Sequence, residues 1–233
     1  MLTIDLHRNI FIKLLRDMYA DPDLRTSLGF KGGTAALLFY GLPRFSVDLD
    51  FDLLDIEKKA LVFEKVKSIV HLYGTVSEEI EKKYTLFYLL QYQKGERNLK
   101  IEVSKRSDGQ SAYSPKNYLG ISMLVMNEPE MAAGKLAAFL TRNKFASRDM
   151  FDLWYFLKNN WQIAESIVQA KTGMDCVHAL KKAQNRVAAV KKSELLSGLG
   201  DLLDVKQRDW VRKNLVNDLL FLLRLYEDNL LKH

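Results

Sequence analysis

The stretch FKGGTAALLFYGLPRFSVDLDFDLL, Phe30 to Leu54, decides the fold. A glycine pair, Gly32-Gly33, stands just before an apolar run, Thr34 to Tyr40, that predicts a helix ended by a glycine–proline turn. The next stretch, Phe45 to Leu53, alternates polar and apolar residues and predicts a β-strand. This part of the chain therefore predicts a unit in which helices and strands are mixed.

Two aspartates of the predicted strand, Asp48 and Asp50, are separated by one residue. Because side chains alternate along a strand, both carboxylates lie on one face, roughly 7 Å apart, while Leu49 and Phe51 point into a core. Such a pair repels itself unless a cation lies between its members. Mg²⁺ prefers these oxygen ligands and completes its shell with water and substrate phosphates. The alternative interpretation is the solvated polar face of an edge strand.

The segment Lys31-Gly32-Gly33-Thr34 lies where a strand turns into a helix. Glycine lets backbone approach a ligand closely, and a helix N-terminus offers N–H groups and a positive dipole end to a phosphate. Thr34 can cap the helix or donate a hydrogen bond to a phosphate oxygen. The spacing is not that of a P-loop, and the alternative is an ordinary tight turn.

A phosphate cradle followed by a carboxylate pair is what a nucleotidyl transfer site needs. The pattern KGGTA followed by RFSVDLDF resembles the nucleotidyltransferase superfamily. More closely, LGFKGGTAALL and RFSVDLDF resemble the AbiEii toxin family, the MenT-like nucleotidyltransferases of bacterial toxin–antitoxin systems.

The whole chain predicts an α+β fold. A nucleotidyltransferase-like mixed sheet with flanking helices is expected over residues 1–126, followed by an all-helical domain over 127–233 that completes the active site. Further strands are predicted at Val76–Lys82, Tyr84–Gln93, Leu99–Ser104 and Ile121–Met126. Helices are predicted at Asp5–Ala20, Ile56–Leu72, Glu128–Arg142 and Ser147–Asn159, the last capped by Ser147, with three or four more helices to the end of the chain.

The resemblance implies a third acid on a neighbouring strand, and Glu102 supplies one. It would be the third metal ligand beside Asp48 and Asp50, or the base for the incoming hydroxyl. The superfamily more often has aspartate there, and the alternative is an ordinary amphipathic strand. Ser46, on the same face as the aspartates, would touch phosphate. The implied metal is Mg²⁺ or Mn²⁺, and the implied substrate is a nucleoside triphosphate.

A second family pattern is matched by KLAAFLTRNKFASRDMFDLW, Lys135 to Trp154. The resemblance implies that Lys135 contacts the nucleotide phosphates or neutralises charge in the transition state. Three residues of the next helix would complete the catalytic and nucleotide-binding set by orienting Lys135 or by holding base or sugar: Arg148, Asp149 and Asp152. The spacing from Arg142 to Arg148 is longer than in the family pattern, so Arg142 and Lys144 are as well explained by salt bridges between helices.

The resemblance implies transfer of a nucleoside monophosphate to an acceptor hydroxyl, the 3′ end of a tRNA, by a toxin with a separately encoded antitoxin. Two alternatives stay open. One is an enzyme of the same fold that modifies a protein or small-molecule hydroxyl, and the other is a catalytically silent module that binds nucleotide or RNA.

The chain has 233 residues and a net charge of +6, which suits a polyanionic partner. Basic helical segments at Lys181–Lys192 and Lys206–Lys213 could follow an RNA backbone, although a plain solvated helix face is the better explanation. The single cysteine, Cys176, excludes an intramolecular disulfide and zinc sites built on several cysteines. Because no apolar run approaches the roughly 18 residues of a membrane span, we expect a cytoplasmic protein with no membrane partner.

Overall fold

The computed structural model describes residues 3–106 and 111–232. The chain divides into two compact units. The first comprises Met1–Gly41 and Phe45–Met126, and the second comprises Leu42–Arg44 and Asn127–His233. In the described residues, no helix has both the length and the apolar character needed to cross a bilayer.

The first unit is built on one mixed sheet. Its strands are β1 (Leu28–Lys31), β2 (Asp48–Leu53), β3 (Thr75–Glu81), β4 (Thr85–Gln91), β5 (Leu99–Ser104), β6 (Tyr113–Tyr118) and β7 (Ile121–Met126). Over the described residues they pair in the order β3-β4-β5-β2-β1-β7-β6. The pairs β2–β5 and β1–β7 are parallel, and the other neighbouring strands are antiparallel.

Four helices accompany the sheet: α1 (Ile4–Ala20), α2 (Pro22–Ser27), α3 (Gly32–Tyr40) and α4 (Lys59–His71), the last preceded by a 3₁₀ turn over Ile56–Lys58. Helix α1 buries an apolar stripe with i, i+3, i+4 and i+7 spacing, and four of its side chains are fully buried: Phe11, Leu14, Leu15 and Met18. Helix α3 ends at Gly41, whose φ of 69° lies in the left-handed region that glycine adopts without strain.

Strand β2 lies in the interior of the sheet, between β5 and β1. Its inward residues Leu49 and Phe51 are fully buried, as are their partners on β5, Ile101 and Val103. The interpretation of DLDFD as an edge strand is therefore wrong, because both sides of β2 carry ladder hydrogen bonds. Its polar face is held in place by two neighbouring strands.

Some elements differ from the sequence-based prediction. Strand β6 was missed because YSPKNY contains a proline and few apolar residues, which is tolerated because β6 is an edge strand. Asp21-Pro22 ends α1, as predicted, but the Asp21 carboxylate also caps α2 by accepting from the amides of Asp23 and Leu24. Strand β2 begins at Asp48 instead of Phe45.

The second unit is helical, with α5 (Glu128–Thr141), α6 (Ser147–Lys158), α7 (Glu165–Thr172), α8 (Cys176–Ala188) and α9 (Val205–Leu230), and 3₁₀ turns at Lys192–Glu194 and Gly200–Leu202. Its core holds a stacked pair, Phe156 and Trp161, with ring centroids 4.1 Å apart. The predicted cap Ser147 is instead the first helical residue, and its hydroxyl donates to the Glu194 carbonyl. A mixed sheet unit and a helical unit confirm the predicted α+β class.

Candidate active site

The polar face of β2 is a row of three aspartates, Asp48, Asp50 and Asp52, each partly exposed between fully buried neighbours. On the adjacent parallel strand β5, Lys100 is the register partner of Asp48, and Glu102 is the partner of Asp50. The alternation predicted for both strands therefore holds. The structure brings the three predicted metal-site acids, Asp48, Asp50 and Glu102, onto one face of two paired strands.

The surroundings of Asp50 shift the pKa of its carboxyl. Burial raises the pKa of its carboxyl above the usual range, and the negative charges of Asp48 and Glu102 raise it further. The positive charges of Lys100 and Lys31 act in the opposite direction without reversing the shift. Burial is therefore the main cause of the shift.

Helix α3 begins directly against Asp50. Gly32 has a φ of 79°, and a Cβ built on it would stand 2.6 Å from Oδ2 of Asp50. The first N–H groups of a helix have no partner within it, and the N-cap residue, Lys31, makes no side-chain capping bond. The start of α3, at Gly32, thus lies next to the Asp50 carboxylate of the acidic face.

We expect Gly32→Ala to impair both folding and nucleotide binding. The new methyl group would meet the Asp50 carboxylate, and the left-handed backbone costs a residue with a side chain about 1–3 kcal/mol. Thermal unfolding and nucleotide titration of the purified variant measure the two effects. The control is Gly95→Ala, at a turn with a φ of 85° but nothing within 4 Å of the built Cβ. Equal nucleotide affinity in wild type and Gly32→Ala would contradict a close approach at this position.

Thr34 does not cap α3. Its side chain is fully buried, and its hydroxyl donates to the backbone carbonyl of Asp48 at 2.5 Å. This bond fixes the helix to the start of β2, which favours a positioning role over direct phosphate contact. Ser46 precedes the strand and is 7% exposed, so strand alternation does not place it on the aspartate face.

Asp52 is a member of the row to which the sequence assigned no role. It accepts from Nζ of Lys31 at 2.5 Å and from the hydroxyl of Tyr113 at 2.5 Å. Lys31, the first residue of the predicted nucleotide-binding segment, is thereby anchored, with its side chain 25% exposed. Asp52 could have been identified from the sequence, because it continues the alternation of the DLDFD motif. Its partner Tyr113 could not, because it lies on β6, a strand that the sequence did not predict.

The donor chemistry of the acidic face fits a divalent cation. It presents carboxylates on one face of two paired strands, and these hard oxygen ligands suit Mg²⁺ or Mn²⁺. In the part of the chain that the structure describes, no three acidic, histidine or cysteine side chains are grouped closely enough to hold a metal ion on their own. Asp48 and Asp50 would hold the ion together with substrate phosphates, and Glu102 would be a third ligand or the base.

The second unit contains a buried ionic cluster centred on Asp152, which is fully buried. Arg44 binds its carboxylate through two nitrogens, at 2.5 Å and 2.6 Å. Nζ of Lys135 lies 2.9 Å from Oδ2 of Asp152 and 3.0 Å from Oδ1 of Asp149. Two carboxylates at i and i+3 on α6 therefore hold Lys135 in one position, which agrees with the predicted orienting role.

Charges in this cluster stabilise one another. Burial alone would raise the pKa of the Asp152 carboxyl, but Arg44 and Lys135 together lower it below the usual range. Burial disfavours the charged form of Lys135 as well, yet Asp152 and Asp149 outweigh it and raise the pKa of its ammonium group. Both groups are consequently charged at neutral pH.

The remaining predicted residues of this region are placed as follows. Helix α5 ends at Thr141, so Arg142 does not continue its face, and Nη1 of Arg142 lies 3.1 Å from Oδ2 of Asp149. This supports the salt-bridge interpretation of Arg142. Lys144 is exposed in the loop between α5 and α6, and Arg148 is half-buried in the first turn of α6.

Arg44 is the residue of this cluster that sequence reasoning missed. It is 4% exposed and belongs, with Leu42 and Pro43, to the second unit. The signal available in the sequence was the position of Arg44 at the start of the RFSVDLDF motif, whereas its burial and its acidic partner are known only from the structure.

Comparison with known proteins agrees with this geometry. Residues 13–216 match the family model described as nucleotidyl transferase AbiEii toxin, type IV TA system. No curated protein sequence matches the chain. Two solved Helicobacter pylori structures are similar in fold at 20% sequence identity and a TM-score of 0.61. The first is a putative nucleotidyltransferase, for which the match covers 98% of this chain and 96% of that one. The second is JHP933, with 100% and 96% covered. The chain therefore belongs to the AbiEii nucleotidyltransferase toxin family of type IV toxin–antitoxin systems and is a nucleotidyltransferase.

Proposed function

We propose that the protein transfers a nucleoside monophosphate from a nucleoside triphosphate to a hydroxyl at the 3′ end of an RNA, with tRNA as the leading acceptor. One observation carries this proposal above the others: the N-terminus of α3 abuts the Asp50 carboxylate. A phosphate cradle and an acidic pair in contact can bind a triphosphate and its metal ion at the same place.

In the proposed reaction the acceptor oxygen forms a bond to the α-phosphorus, the bond from that phosphorus to the bridging oxygen breaks, and pyrophosphate leaves. Bound Mg²⁺ or Mn²⁺ would polarise the phosphate oxygens and lower the pKa of the attacking hydroxyl. The amides of Gly32 and Gly33 hold phosphate oxygens, and Glu102 receives the proton of the acceptor hydroxyl. Asp48 and Asp50 hold the metal ion, so positioning and charge stabilisation do most of the catalytic work.

Charge distribution supports an RNA acceptor. Residues 181–213 contain nine lysines and arginines and four acids, a net charge of +5 (9 − 4), against +6 for the whole chain. Arg186 of this segment is structural, since it donates to the carbonyls of Leu140 and Arg142. Lys182, Lys206 and Lys213 are exposed, and exposed basic side chains of this kind are suited to a phosphate backbone.

Membership of a type IV toxin–antitoxin family implies an antitoxin partner. We propose that transfer to tRNA blocks its aminoacylation and inhibits growth, and that the antitoxin relieves the inhibition. Both substrates place the reaction in the cytoplasm.

The acceptor is tested by incubating the protein with each α-³²P-labelled nucleoside triphosphate, Mg²⁺ and total tRNA. We expect one nucleotide to label tRNA, and periodate oxidation of the tRNA 3′ end to prevent labelling. Label on a protein or on a small molecule, with none on RNA, would replace the proposed acceptor with one of the alternatives. Nucleotide binding without any transfer would identify a silent binding module.

The basic segment is tested in the same assay. Reversing three exposed lysines (Lys182→Glu, Lys206→Glu and Lys213→Glu) should raise the KM for tRNA at least tenfold and reduce its salt dependence, because fewer counterions are displaced. The matched control reverses Lys59, Lys65 and Lys67 on α4, which already pair with acids of this chain. Equal effects of the two triple variants would contradict a binding role for residues 181–213.

A further inference from the structure

The acidic face contains a lysine whose position the proposed reaction does not explain. Nζ of Lys100 lies 3.4 Å from Oδ2 of Asp48 and 3.4 Å from Oε2 of Glu102. Its side chain is 29% exposed, so it reaches the carboxylates from the solvent side while its stem packs on the sheet. A monovalent cation belonging to the protein itself therefore bridges Asp48, a proposed metal ligand, and Glu102, the proposed base.

The other lysine of this face, Lys31, is engaged elsewhere. Its ammonium group lies 2.5 Å from Asp52, two positions beyond Asp50 on β2. Asp48, Asp50 and Glu102 place three carboxyl groups on this face, and Lys100 is the lysine that bridges two of them.

An ammonium group and a divalent cation cannot both contact the same carboxylate oxygens without strong repulsion. The four-carbon stem of lysine is flexible and its ammonium group is a compact point charge, so a change of rotamer moves the charge by several ångströms. A nucleoside triphosphate brings its own negative charge to this face, and phosphate oxygens can accept from the displaced ammonium group. The Lys100 ammonium group and the divalent cation therefore compete for the same carboxylate oxygens, and a bound nucleoside triphosphate can draw the ammonium group away.

We propose that Lys100 is an internal counter-ion of the metal site: in the free protein its ammonium group neutralises Asp48 and Glu102 and competes with the divalent cation, and on nucleotide binding it moves onto the phosphates. This inference rests on the proposed function. It implies that free protein binds the metal ion weakly and that the ion enters with the nucleotide. Lys100 then contributes to nucleotide affinity after it has released the acids.

The test is titration of the protein with Mn²⁺ alone, followed by electron paramagnetic resonance. Lys100→Met should bind Mn²⁺ at least tenfold more tightly than wild type, whereas Lys100→Arg should remain weak because it keeps the charge. The matched control is Lys105→Met, which removes a lysine near the end of the same strand that pairs with Glu81 at 2.7 Å and should leave Mn²⁺ affinity unchanged. Mn²⁺ should also raise the Tm of Lys100→Met more than that of wild type.

A second variant guards against failure of Lys100→Met to fold. The double variant Lys100→Met/Glu102→Gln removes one charge of each sign, and it should bind Mn²⁺ more tightly than Glu102→Gln alone. The proposal is overturned if Lys100→Met binds Mn²⁺ no more tightly than wild type and the double variant binds it no more tightly than Glu102→Gln.

The titration contains neither nucleotide nor acceptor, so its result is independent of the transfer assay. If Lys100→Met binds Mn²⁺ more tightly than wild type but wild type transfers no nucleotide, the counter-ion proposal stands and the proposed reaction is refuted. If wild type transfers nucleotide but Lys100→Met binds Mn²⁺ no more tightly, the reaction stands and the counter-ion proposal is refuted. A raised KM for the nucleotide in Lys100→Met, reversed by Lys100→Arg, tests the final position of the ammonium group.

Discussion

Replacing Asp50 with asparagine should abolish nucleotidyl transfer while leaving the protein as stable as wild type or more so. Activity should fall at least a hundredfold, the usual consequence of removing a group that stabilises transition-state charge, because the neutral amide is a poor metal ligand. Stability should not fall, because the pKa of the Asp50 carboxyl is raised by burial and by its acidic neighbours. A carboxyl whose pKa is raised in the folded state lowers the stability of the fold at pH values above its unfolded pKa of about 3.9, and neutral pH lies above that value.

The matched control is Asp52→Asn on the same face of the same strand. Asp52 holds Lys31 and Tyr113, so this variant should lose roughly 1–3 kcal/mol of unfolding free energy, as expected when a charged hydrogen-bond acceptor is removed. Denaturant unfolding and transfer rates of both variants separate the two roles. An active Asp50→Asn protein, or one destabilised as much as Asp52→Asn, would show that Asp50 is structural.

Replacing Asp152 with asparagine should have the largest effect on stability, a loss of about 3–5 kcal/mol. The substitution leaves Arg44 and Lys135 buried without their common counter-charge. Unfolding by urea, followed by tryptophan fluorescence, measures the loss. Asp228→Asn, at an exposed site on α9, should change stability by no more than about 0.5 kcal/mol.

The pH dependence of this loss follows from the lowered pKa of Asp152. A carboxyl with a lowered pKa in the folded state stabilises the fold above its unfolded value of about 3.9 and loses that contribution as the pH falls through the lowered folded value. The difference between wild type and Asp152→Asn should therefore be constant at neutral pH and shrink in acid. A double variant, Arg44→Met/Asp152→Leu, should recover part of the stability, and a difference independent of pH down to acid unfolding would contradict the ion-pair explanation.

The local sequence pattern correctly predicted those features that follow from the periodicity of strands and helices. Asp48, Asp50 and Glu102 share a face because strands alternate, and Gly32 begins a helix because an apolar run follows it. The pairing of Arg44 with Asp152 joins residues 108 positions apart, and no short-range pattern specifies such a partner. For the same reason, the sequence placed Lys100 and Asp52 on the polar faces of their strands without revealing that one bridges the acids and the other anchors Lys31.

The capping predictions show a different limit. Thr34 and Ser147 are both residue types that favour helix N-termini, yet their hydroxyls donate to carbonyls of other elements. Tertiary packing brings these carbonyls within reach of the hydroxyls, and helix-capping propensities carry no information about tertiary packing. For Thr34 the difference changes the role that we assign to it: its hydroxyl supports the strand that carries the aspartates instead of contacting phosphate.

The most direct test of nucleotidyl transfer compares the fates of the α- and γ-phosphates of the preferred nucleoside triphosphate in one reaction with tRNA and Mg²⁺. We expect wild type to attach the α-phosphate to tRNA and to release the γ-phosphate as pyrophosphate in equal amount. A folded Asp48→Ala/Asp50→Ala protein should do neither. Attachment of the γ-phosphate, or undiminished transfer by the double variant, would contradict the assignment of this acidic face as the catalytic centre.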